Sequence, residues 1–228
     1  MDFLDLPDRL AQVREAVARH QAIGGWTHPV RIVAVTKTRG PEAVRAAVAA
    51  GLTDIGENRV QEALQKQELL VGLPIAWHLI GTLQRNKARQ AVGRFVLIHS
   101  VDRGDLSAEL DRRAASDTRQ PILVQVNCSD EPQKGGVEPR ELPGLLEALT
   151  RFEHLEVQGL MTMSALTDDA AEQRRAFRRL RELQGAAQQS GFRLPELSMG
   201  MSGDFPVAVE EGATMIRLGT VLFGERDR

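Results

Sequence analysis

Hydrophobic and polar positions along the chain follow two alternating patterns. The first pattern is amphipathic: residues 4–20 place apolar side chains at positions 6, 10, 13 and 17, on one helical face, and a glycine pair at 24–25 ends the segment. The second pattern is a short apolar run rich in β-branched residues, first met at 32–35, which is typical of a buried strand. The two patterns then alternate along the chain, which indicates helices and strands in succession.

This alternation predicts eight strands, each separated from the next by one helical segment. The predicted strands cover residues 32–35, 53–56, 74–80, 95–99, 122–127, 155–160, 196–199 and 214–218. The predicted helices between them cover residues 43–50, 59–70, 84–92, 105–116, 138–149, 168–191 and 202–211. Because parallel strands need such crossovers, and no hairpin signal interrupts them, we predict an α/β fold: a single (β/α)8 TIM-type barrel, a fold of about 250 residues, with an additional N-terminal helix.

An open, doubly wound sheet is the alternative fold. That fold often carries a glycine-rich dinucleotide loop after its first strand. Here the first strand is followed by Thr36-Lys37-Thr38-Arg39 instead. The barrel is therefore the favoured architecture.

Composition narrows the classes of protein that fit. The 228 residues carry a formal charge of −2 and no long basic block, so neither nucleic acid nor an anionic membrane is an expected partner. Five arginines between 174 and 181 alternate with glutamates and are expected to form a solvated helix face. Cys128 is the only cysteine, which excludes an internal disulfide and a cysteine zinc site.

The sequence also predicts the domain organisation and the cellular location. No apolar run approaches the roughly 20 residues that a membrane span needs, and the acidic N-terminus lacks the basic start and apolar core of a signal peptide. No linker, repeat or low-complexity segment is visible. We therefore expect one domain over residues 1–228, in a cytoplasmic protein that is a monomer.

Lys37 is the first candidate for chemistry because it stands where the first predicted strand ends. A lone lysine at such a place is most often a solvated charge. The sequence, however, has 29 basic residues of which only four are lysine, so a site kept as lysine suggests chemistry that arginine cannot perform. A partly desolvated amine is a nucleophile toward carbonyl groups. Lys66, in contrast, lies in a predicted helix and is expected on the surface.

The segments after the last two strands predict an anion site. Ser198, Gly200 and Ser202 lie in a small-residue loop that runs into a predicted helix, where free backbone N–H groups attract anions. Gly219 ends the eighth strand, and loops after strands seven and eight are where barrels often hold phosphate. An imine-forming lysine and a phosphate site together indicate a ligand with an aldehyde and a phosphate. Pyridoxal 5′-phosphate and the substrate of a sugar-phosphate aldolase both fit.

Eight separate sequence blocks carry a family resemblance. They are A-V-T-K (34–37), D-I-G-E-N-R-V-Q-E (54–62), W-H-L-I-G-T-L-Q-R-N-K (77–87), H-S-V-D (99–102), V-N-C-S-D-E-P-Q-K-G-G (126–136), G-L-M-T-M (159–163), L-S-M-G-M-S-G-D-F (197–205) and R-L-G-T-V-L-F-G-E-R (217–226). In this order they resemble the YggS/PROSC-type pyridoxal phosphate homeostasis proteins. That resemblance implies a barrel like the N-terminal domain of alanine racemase, without the second domain of the racemase.

The resemblance also implies roles for single residues. Lys37 matches the lysine that holds pyridoxal 5′-phosphate as an internal aldimine, and Lys134 matches a loop lysine that would accept or pass on the aldehyde. Arg217 matches an arginine near either the phosphate or the ring nitrogen. The remaining implied contacts are with the phosphate or its loop (Ser198, Gly200, Met201, Ser202, Gly219, Thr220) and with the faces of the ring (Asn58, His78).

Several of these positions carry alternatives or departures. His78 could instead be a core histidine, His99 is expected to be structural, and Glu57 is either a ring partner or a carboxylate at a helix start. The family often has serine before the cofactor lysine and a Lys-Pro pair soon after it. Here Thr36 precedes Lys37 and Arg39 follows, so no role is implied for a second lysine beside it.

The resemblance leaves open whether the protein is an enzyme. A racemase needs an acid–base group on each face of the cofactor, and the alanine racemase scheme takes its second group from a tyrosine, a residue this sequence lacks. An arginine at the ring nitrogen would hold its proton and make the ring a poor electron sink. We therefore expect a cofactor carrier that buffers pyridoxal phosphate or delivers it to apoenzymes that depend on it. The alternative is a small lysine-imine enzyme, either a weak amino-acid racemase or an aldolase.

Overall fold

The predicted barrel is confirmed by the computed structural model, which describes residues 3–114, 119–129, 131 and 134–225. Over these residues, parallel strands close into a barrel in sequence order, and the last strand pairs with the first. The strands are β1 Arg31–Val35, β2 Asp54–Glu57, β3 Ala76–Leu79, β4 Leu97–Val101, β5 Gln120–Gln125, β6 Leu155–Met161, β7 Glu196–Ser198 and β8 Met215–Leu218.

Helices surround the barrel, and at least one lies between each pair of consecutive strands. They are α1 Leu6–Gly24, α2 Pro41–Ala49, α3 Val60–Leu69, α4 Ala88–Ala91, α5 Gly104–Arg113, α6 Leu142–Leu149, α7 Ala170–Gln189, α8 Phe205–Glu210 and α9 Thr220–Phe223. The predicted N-terminal helix, α1, buries Leu6, Leu10, Val13 and Val17 and contacts α8 and α9. It therefore covers the side of the barrel where β8 meets β1.

Three predicted helices differ from the observed ones, and one of them, 138–149, begins with a 3-10 turn, Pro139–Glu141, before α6. Residues 84–92 form a 3-10 turn, Arg85–Lys87, followed by the single turn of α4. The helix predicted from residue 202 begins only at Phe205, because the Asp204 side chain accepts the backbone N–H of Met201 and closes a turn there. The end predicted at residue 116 lies outside the described residues, and α9 was not predicted.

Strand β1 illustrates how the barrel directs side chains toward the candidate site. Alternate residues of a strand face opposite sides of a sheet. Ala34 packs in the outer core between sheet and helices, whereas Val33 belongs to a cluster inside the barrel. Val35 and Lys37 continue this inward series and line a cavity at the barrel mouth. The two-residue period of β1 therefore delivers Lys37 to the interior.

The interior of the barrel is only partly apolar. One group of buried side chains there consists of Val33, Leu97, Leu123, Met161 and Met215. The buried polar side chains of the inward-facing strand positions share this interior (His78, His99, Ser198, Arg217). Branched apolar residues usually dominate such a barrel interior, so these polar groups need an explanation, which the site provides.

The arginines of α7 do not form a merely solvated face, so that prediction was wrong in part. Arg178 and Arg181 pair with Glu211, the residue that follows α8, at 3.1 and 2.9 Å, and Arg174 pairs with Glu210 and Glu211. The Arg181 guanidinium also lies over the Trp26 ring. These arginines dock α8 onto α7.

Within the described ranges, no helix has both the length and the apolar sequence that a transmembrane passage requires.

Candidate functional site

A cavity of about 590 Å³ opens at the end of the barrel where the strands finish. Its lining comes from the last residues of β1, β5 and β8 and from the segments that follow β2, β3, β6 and β7. This volume lies within the range of roughly 300–1,000 Å³ that is common for small-molecule sites. The mouth of a TIM barrel is also where such folds carry their chemistry.

Most of the predicted site residues meet at this cavity. All ten lie in the described part of the chain, and seven of them line the cavity: Lys37, Asn58, Met201, Ser202, Arg217, Gly219 and Thr220. His78, Ser198 and Gly200 do not line it, and all three are found behind its wall. Lys134 lines it as well, with its amine 3.8 Å from the Glu131 carboxylate.

The turn that carries Lys37 is held on both sides. The Thr36 hydroxyl donates to Glu57 at 2.5 Å, and the Thr38 backbone N–H donates to Glu62 at 2.6 Å. Thr38 has φ +62°, which a β-branched residue rarely adopts and which therefore costs energy. Because both neighbours of Lys37 are anchored to carboxylates, the direction of its half-buried side chain is set by the surrounding structure.

Lys66 is buried, so the prediction that it lies on the surface was wrong. Its side chain is 6% exposed, and its amine donates to Glu57 at 2.6 Å and to the Thr36 carbonyl at 2.8 Å. The pair forms because Glu57 follows Ile55 by two residues and, like it, faces outward, toward α3. The Glu57 side chain thus supports the Lys37 turn from behind, and it is neither of the two alternatives that the sequence left open.

Burial raises the pKa of the Glu57 carboxyl, against the opposing effect of its hydrogen bonds from Lys66 and Thr36. Its second oxygen, Oε2, has no hydrogen-bond partner among the described residues. The carboxylate is therefore held by one oxygen only, and its charge depends on the nearby amine.

The loop after β7 is tied to the segment after β8. The Ser202 hydroxyl oxygen accepts the backbone N–H groups of Gly219 at 3.2 Å and Val221 at 3.3 Å. Asp204 fixes the same loop, because its carboxylate accepts the Met201 N–H and the Ser164 hydroxyl, both at 2.5 Å. The Ser202 hydroxyl oxygen is thus fixed at one edge of the cavity and keeps its own proton to donate, which suits a phosphate oxygen.

Gly200 explains why this loop needs a glycine. Its φ is +92°, and a Cβ there would lie 2.6 Å from the Ala208 methyl group. The predicted role of Gly200 in the phosphate loop is consequently one of backbone geometry and packing against α8.

Arg217 brings a buried positive charge to the cavity wall. Its guanidinium donates to the Ser198 hydroxyl at 2.7 Å and to the Thr162 carbonyl at 2.9 Å. Burial lowers the pKa of Arg217 to about 10, an effect that Asp204 partly opposes. The side chain therefore remains a cation at neutral pH.

His78 lies inside the barrel and does not line the cavity, a position that fits the alternative of a core histidine. It is fully buried, with Nε2 2.9 Å from the Asp54 carboxylate and Nδ1 3.0 Å from Nε2 of His99. Ile80, two residues later on the same inward series, lines the cavity in its place. The period of the strand gave the direction of His78 correctly, but it could not give its depth.

Sequence reasoning missed several residues of the cavity wall, namely Arg39, Ile80, Gln125, Met163, Ser164 and Asp204. A signal existed for Gln125, because Leu123, two positions earlier, is an inward-facing residue of the same strand. Arg39 and Ser164 lie in connecting segments whose path the sequence pattern does not describe. Whether these two residues line the cavity therefore depends on the tertiary structure.

Comparisons with known proteins find similar chains by sequence and by structure. The alanine racemase N-terminal domain family matches residues 10–227. The pyridoxal phosphate homeostasis protein of Aquifex aeolicus is 43% identical over 222 residues, which is 96% of this chain and 97% of that protein. PipY of Synechococcus elongatus, solved with PLP bound, has a TM-score of 0.85 and 41% identity over 96% of this chain and 100% of its own. An alanine racemase of Clostridium difficile has a TM-score of 0.76 at 13% identity, over 97% of this chain and 60% of its own, which indicates a shared fold.

Proposed function

The chain belongs to the alanine racemase N-terminal domain family, among the pyridoxal phosphate homeostasis proteins, and from this premise we propose that it binds pyridoxal 5′-phosphate and takes part in PLP homeostasis. One observation carries the proposal: the Lys37 side chain and the hydroxyl of Ser202 line the same cavity, from opposite ends of the chain. An amine and an anion-binding loop suit the aldehyde and the phosphate of this cofactor.

The residues present fit each part of the cofactor. The Ser202 hydroxyl, whose oxygen is fixed by the backbone N–H groups of Gly219 and Val221, keeps its own proton to donate to the phosphate. When bound, the cofactor supplies an aldehyde, which the Lys37 amine can join as a reversible Schiff base with release of water. Asn58 is held beside Gly81, where an added Cβ would come within 2.3 Å of the Asn58 carbonyl oxygen, and it provides one wall for the ring.

Arg217 is assigned to the ring and not to the phosphate. Its two described hydrogen bonds go to Ser198 and Thr162, at the ends of β7 and β6. The hydroxyl proposed for the phosphate, that of Ser202, belongs instead to the segment after β7, which is tied to the segment after β8. As a buried cation with a pKa of about 10, Arg217 would donate a hydrogen bond to the ring nitrogen without giving up its proton.

This arrangement favours holding and releasing the cofactor over robust catalysis. An arginine at the ring nitrogen leaves the ring a weak electron sink, and the sequence has no tyrosine to act as the second acid–base group of a racemase. We propose a single barrel domain that buffers a reactive aldehyde and delivers it to PLP-dependent apoenzymes. Lys134, a second amine lining the cavity, is placed to take part in that release.

Absorbance and mass spectrometry test the binding part of this proposal. Protein incubated with pyridoxal 5′-phosphate should be yellow, and borohydride reduction should add the cofactor mass to the peptide that contains Lys37. Lys37→Ala should remove the visible band, whereas Lys87→Ala, a lysine outside the cavity, should retain it. A colourless wild-type protein, or added mass on another lysine alone, would contradict the proposal.

Turnover assays test the carrier part separately. The loaded protein should transfer cofactor to an apoenzyme of known PLP dependence, measured as recovered activity of that enzyme. It should not racemise amino acids or cleave sugar phosphates at rates that depend on Lys37. Lys37-dependent turnover of either substrate class would favour the small lysine-imine enzyme instead.

A further inference from the structure

A continuous path of hydrogen bonds crosses the barrel interior from its base to the cavity wall. It starts at Asp54, the first residue of β2, whose carboxylate lies 2.9 Å from Nε2 of His78. The Nδ1 atom of His78 is 3.0 Å from Nε2 of His99, and Nδ1 of His99 is 2.9 Å from the Ser198 hydroxyl. That hydroxyl accepts from Arg217 at 2.7 Å, which completes the path.

The chemistry of these groups fixes where each proton lies. An ionised Asp54 can only accept, so Nε2 of His78 carries a proton. If His78 is neutral, its Nδ1 must accept from Nε2–H of His99. If His99 is neutral as well, its Nδ1 must accept from the Ser198 hydroxyl, whose oxygen receives the Arg217 N–H. Every bond then points the same way, from the cationic end to the anionic end.

Burial supports this assignment. The side chains of His78, His99 and Ser198 are all 0% exposed. Burial lowers the pKa of His99 well below its ordinary value, and the nearby charges of Arg217 and Arg31 lower it further. A neutral His99 with a single proton is the form that the path requires. A buried polar network that is fully satisfied is also rigid, because any partial break leaves an unpaired polar group.

We propose that Asp54, His78, His99 and Ser198 act as a positioning relay that sets the orientation of Arg217 at the cofactor cavity. None of these four residues lines the cavity. Asp54 acts from the opposite end of the barrel, where its side chain is 26% exposed and lies 4.0 Å from Arg31. The last step of the relay, from Arg217 to the ring, depends on the proposed function, whereas the proton positions do not.

Two substitutions of Asp54, the anionic end of the relay, test whether it sets the proton positions. Asp54→Ala removes the acceptor that holds the proton on Nε2 of His78, so neither histidine is then restricted to one tautomer. Asp54→Asn keeps an acceptor oxygen at that place and should preserve them. Glu196 provides the control, because it also pairs with Arg31 at the barrel base, at 3.4 Å, but is not part of the path.

Nitrogen NMR of ¹⁵N-histidine-labelled protein without cofactor tests the relay directly. Near pH 7.5, His78 and His99 should each show a protonated Nε2 and an unprotonated Nδ1. Asp54→Ala should change this pattern, and Asp54→Asn and Glu196→Ala should not. A doubly protonated ring at either position, or a proton on Nδ1 of His99, would overturn the relay.

Spectroscopy of the loaded protein tests the effect on the cavity. We expect Asp54→Ala to shift the visible band and to raise the Kd for pyridoxal 5′-phosphate about tenfold, the loss of ~1.4 kcal/mol, with wild-type behaviour restored in Asp54→Asn. A band and Kd unchanged in Asp54→Ala would refute the positioning role. If the wild-type protein binds no cofactor, the proposed function fails, and the NMR pattern still decides whether the relay exists.

Discussion

Removing the Lys66 amine should destabilise this protein far more than its place in an amphipathic helix suggests. Lys66→Met keeps a side chain of similar length and apolar character but leaves Glu57 with the Thr36 hydroxyl as its remaining donor. The Glu57 side chain is 0% exposed, so water cannot replace the lost ammonium. The variant therefore leaves the buried Glu57 carboxylate without its ammonium partner.

The expected size of the effect follows from this burial. Removing one partner of a buried ion pair costs roughly 3–5 kcal/mol of folding free energy. For a chain of this size, 1 kcal/mol shifts the thermal midpoint by roughly 2–4 °C, so we expect a fall of roughly 6–20 °C. The pKa of Glu57 is already raised, and losing Lys66 raises it further, since the amine lowers it. The deficit should thus be largest at alkaline pH and shrink as the pH falls toward 4.5, where protonation neutralises the stranded carboxylate.

Circular dichroism with urea and thermal denaturation, at pH 8 and pH 5, measures this prediction. Arg112→Met is a matched control, because Arg112 is 61% exposed and its pair with Glu109 lies at the surface, where ion pairs contribute little to stability. The double variant Glu57→Gln/Lys66→Met removes both charges and should recover at least half of the loss. The reasoning is refuted if Lys66→Met is no less stable than Arg112→Met, or if the double variant is as unstable as the single one.

Three further predictions concern acid stability, backbone contact and phosphate binding. The pKa of His99 is lowered in the folded protein, so below pH 6.5 the unfolded chain binds a proton that the folded chain does not. The free energy of unfolding should therefore fall as the pH drops through that value. His99→Gln should make this pH dependence weaker in urea titrations, and an unchanged pH dependence would count against the prediction. Gly81→Ala places a Cβ 2.3 Å from the Asn58 carbonyl oxygen and should lower both the thermal midpoint and cofactor affinity, whereas Gly104→Ala, with nothing within 4 Å, should change neither. Ser202→Ala removes a phosphate donor. Because a hydrogen bond to a charged group contributes roughly 1.5–3 kcal/mol, the Kd for pyridoxal 5′-phosphate in fluorescence titrations should rise by roughly tenfold to one hundredfold. An unchanged Kd would remove Ser202 from the site.

The order of strands and helices could be predicted because its signals are local. The period of apolar positions distinguishes α1 from β1 without knowledge of the rest of the chain. The same period explains why Lys37 faces the barrel interior, since it continues the inward series of Val33 and Val35. These features depend on neighbouring residues only, and so the sequence contains them.

The depth of a side chain in the barrel and the ion pairs between elements could not be predicted in the same way. The sequence left two places open for His78, beside the ring or in the core. Which one it takes depends on how far β3 extends, and that strand ends at Leu79, before Ile80, which lines the cavity. Lys66 has the sequence setting of a surface residue, and its burial arises only because Glu57 faces α3. A hydrophobicity pattern does not show that two charged residues from different elements form an ion pair.

Two of the charged side chains that line the cavity, Lys37 and Arg217, are each held by groups outside it, and this has a consequence for affinity. The turn of Lys37 is anchored by Glu57, with Lys66 behind it, and the guanidinium of Arg217 is held by Ser198, with the buried histidines behind it. Burying such polar groups is costly unless every partner is satisfied, and apolar residues would fill the same space at lower cost. Since a ligand binds more tightly to groups that are already in place, the networks are best explained by preorganisation of the site. Cofactor affinity should therefore respond to residues that never touch the cofactor.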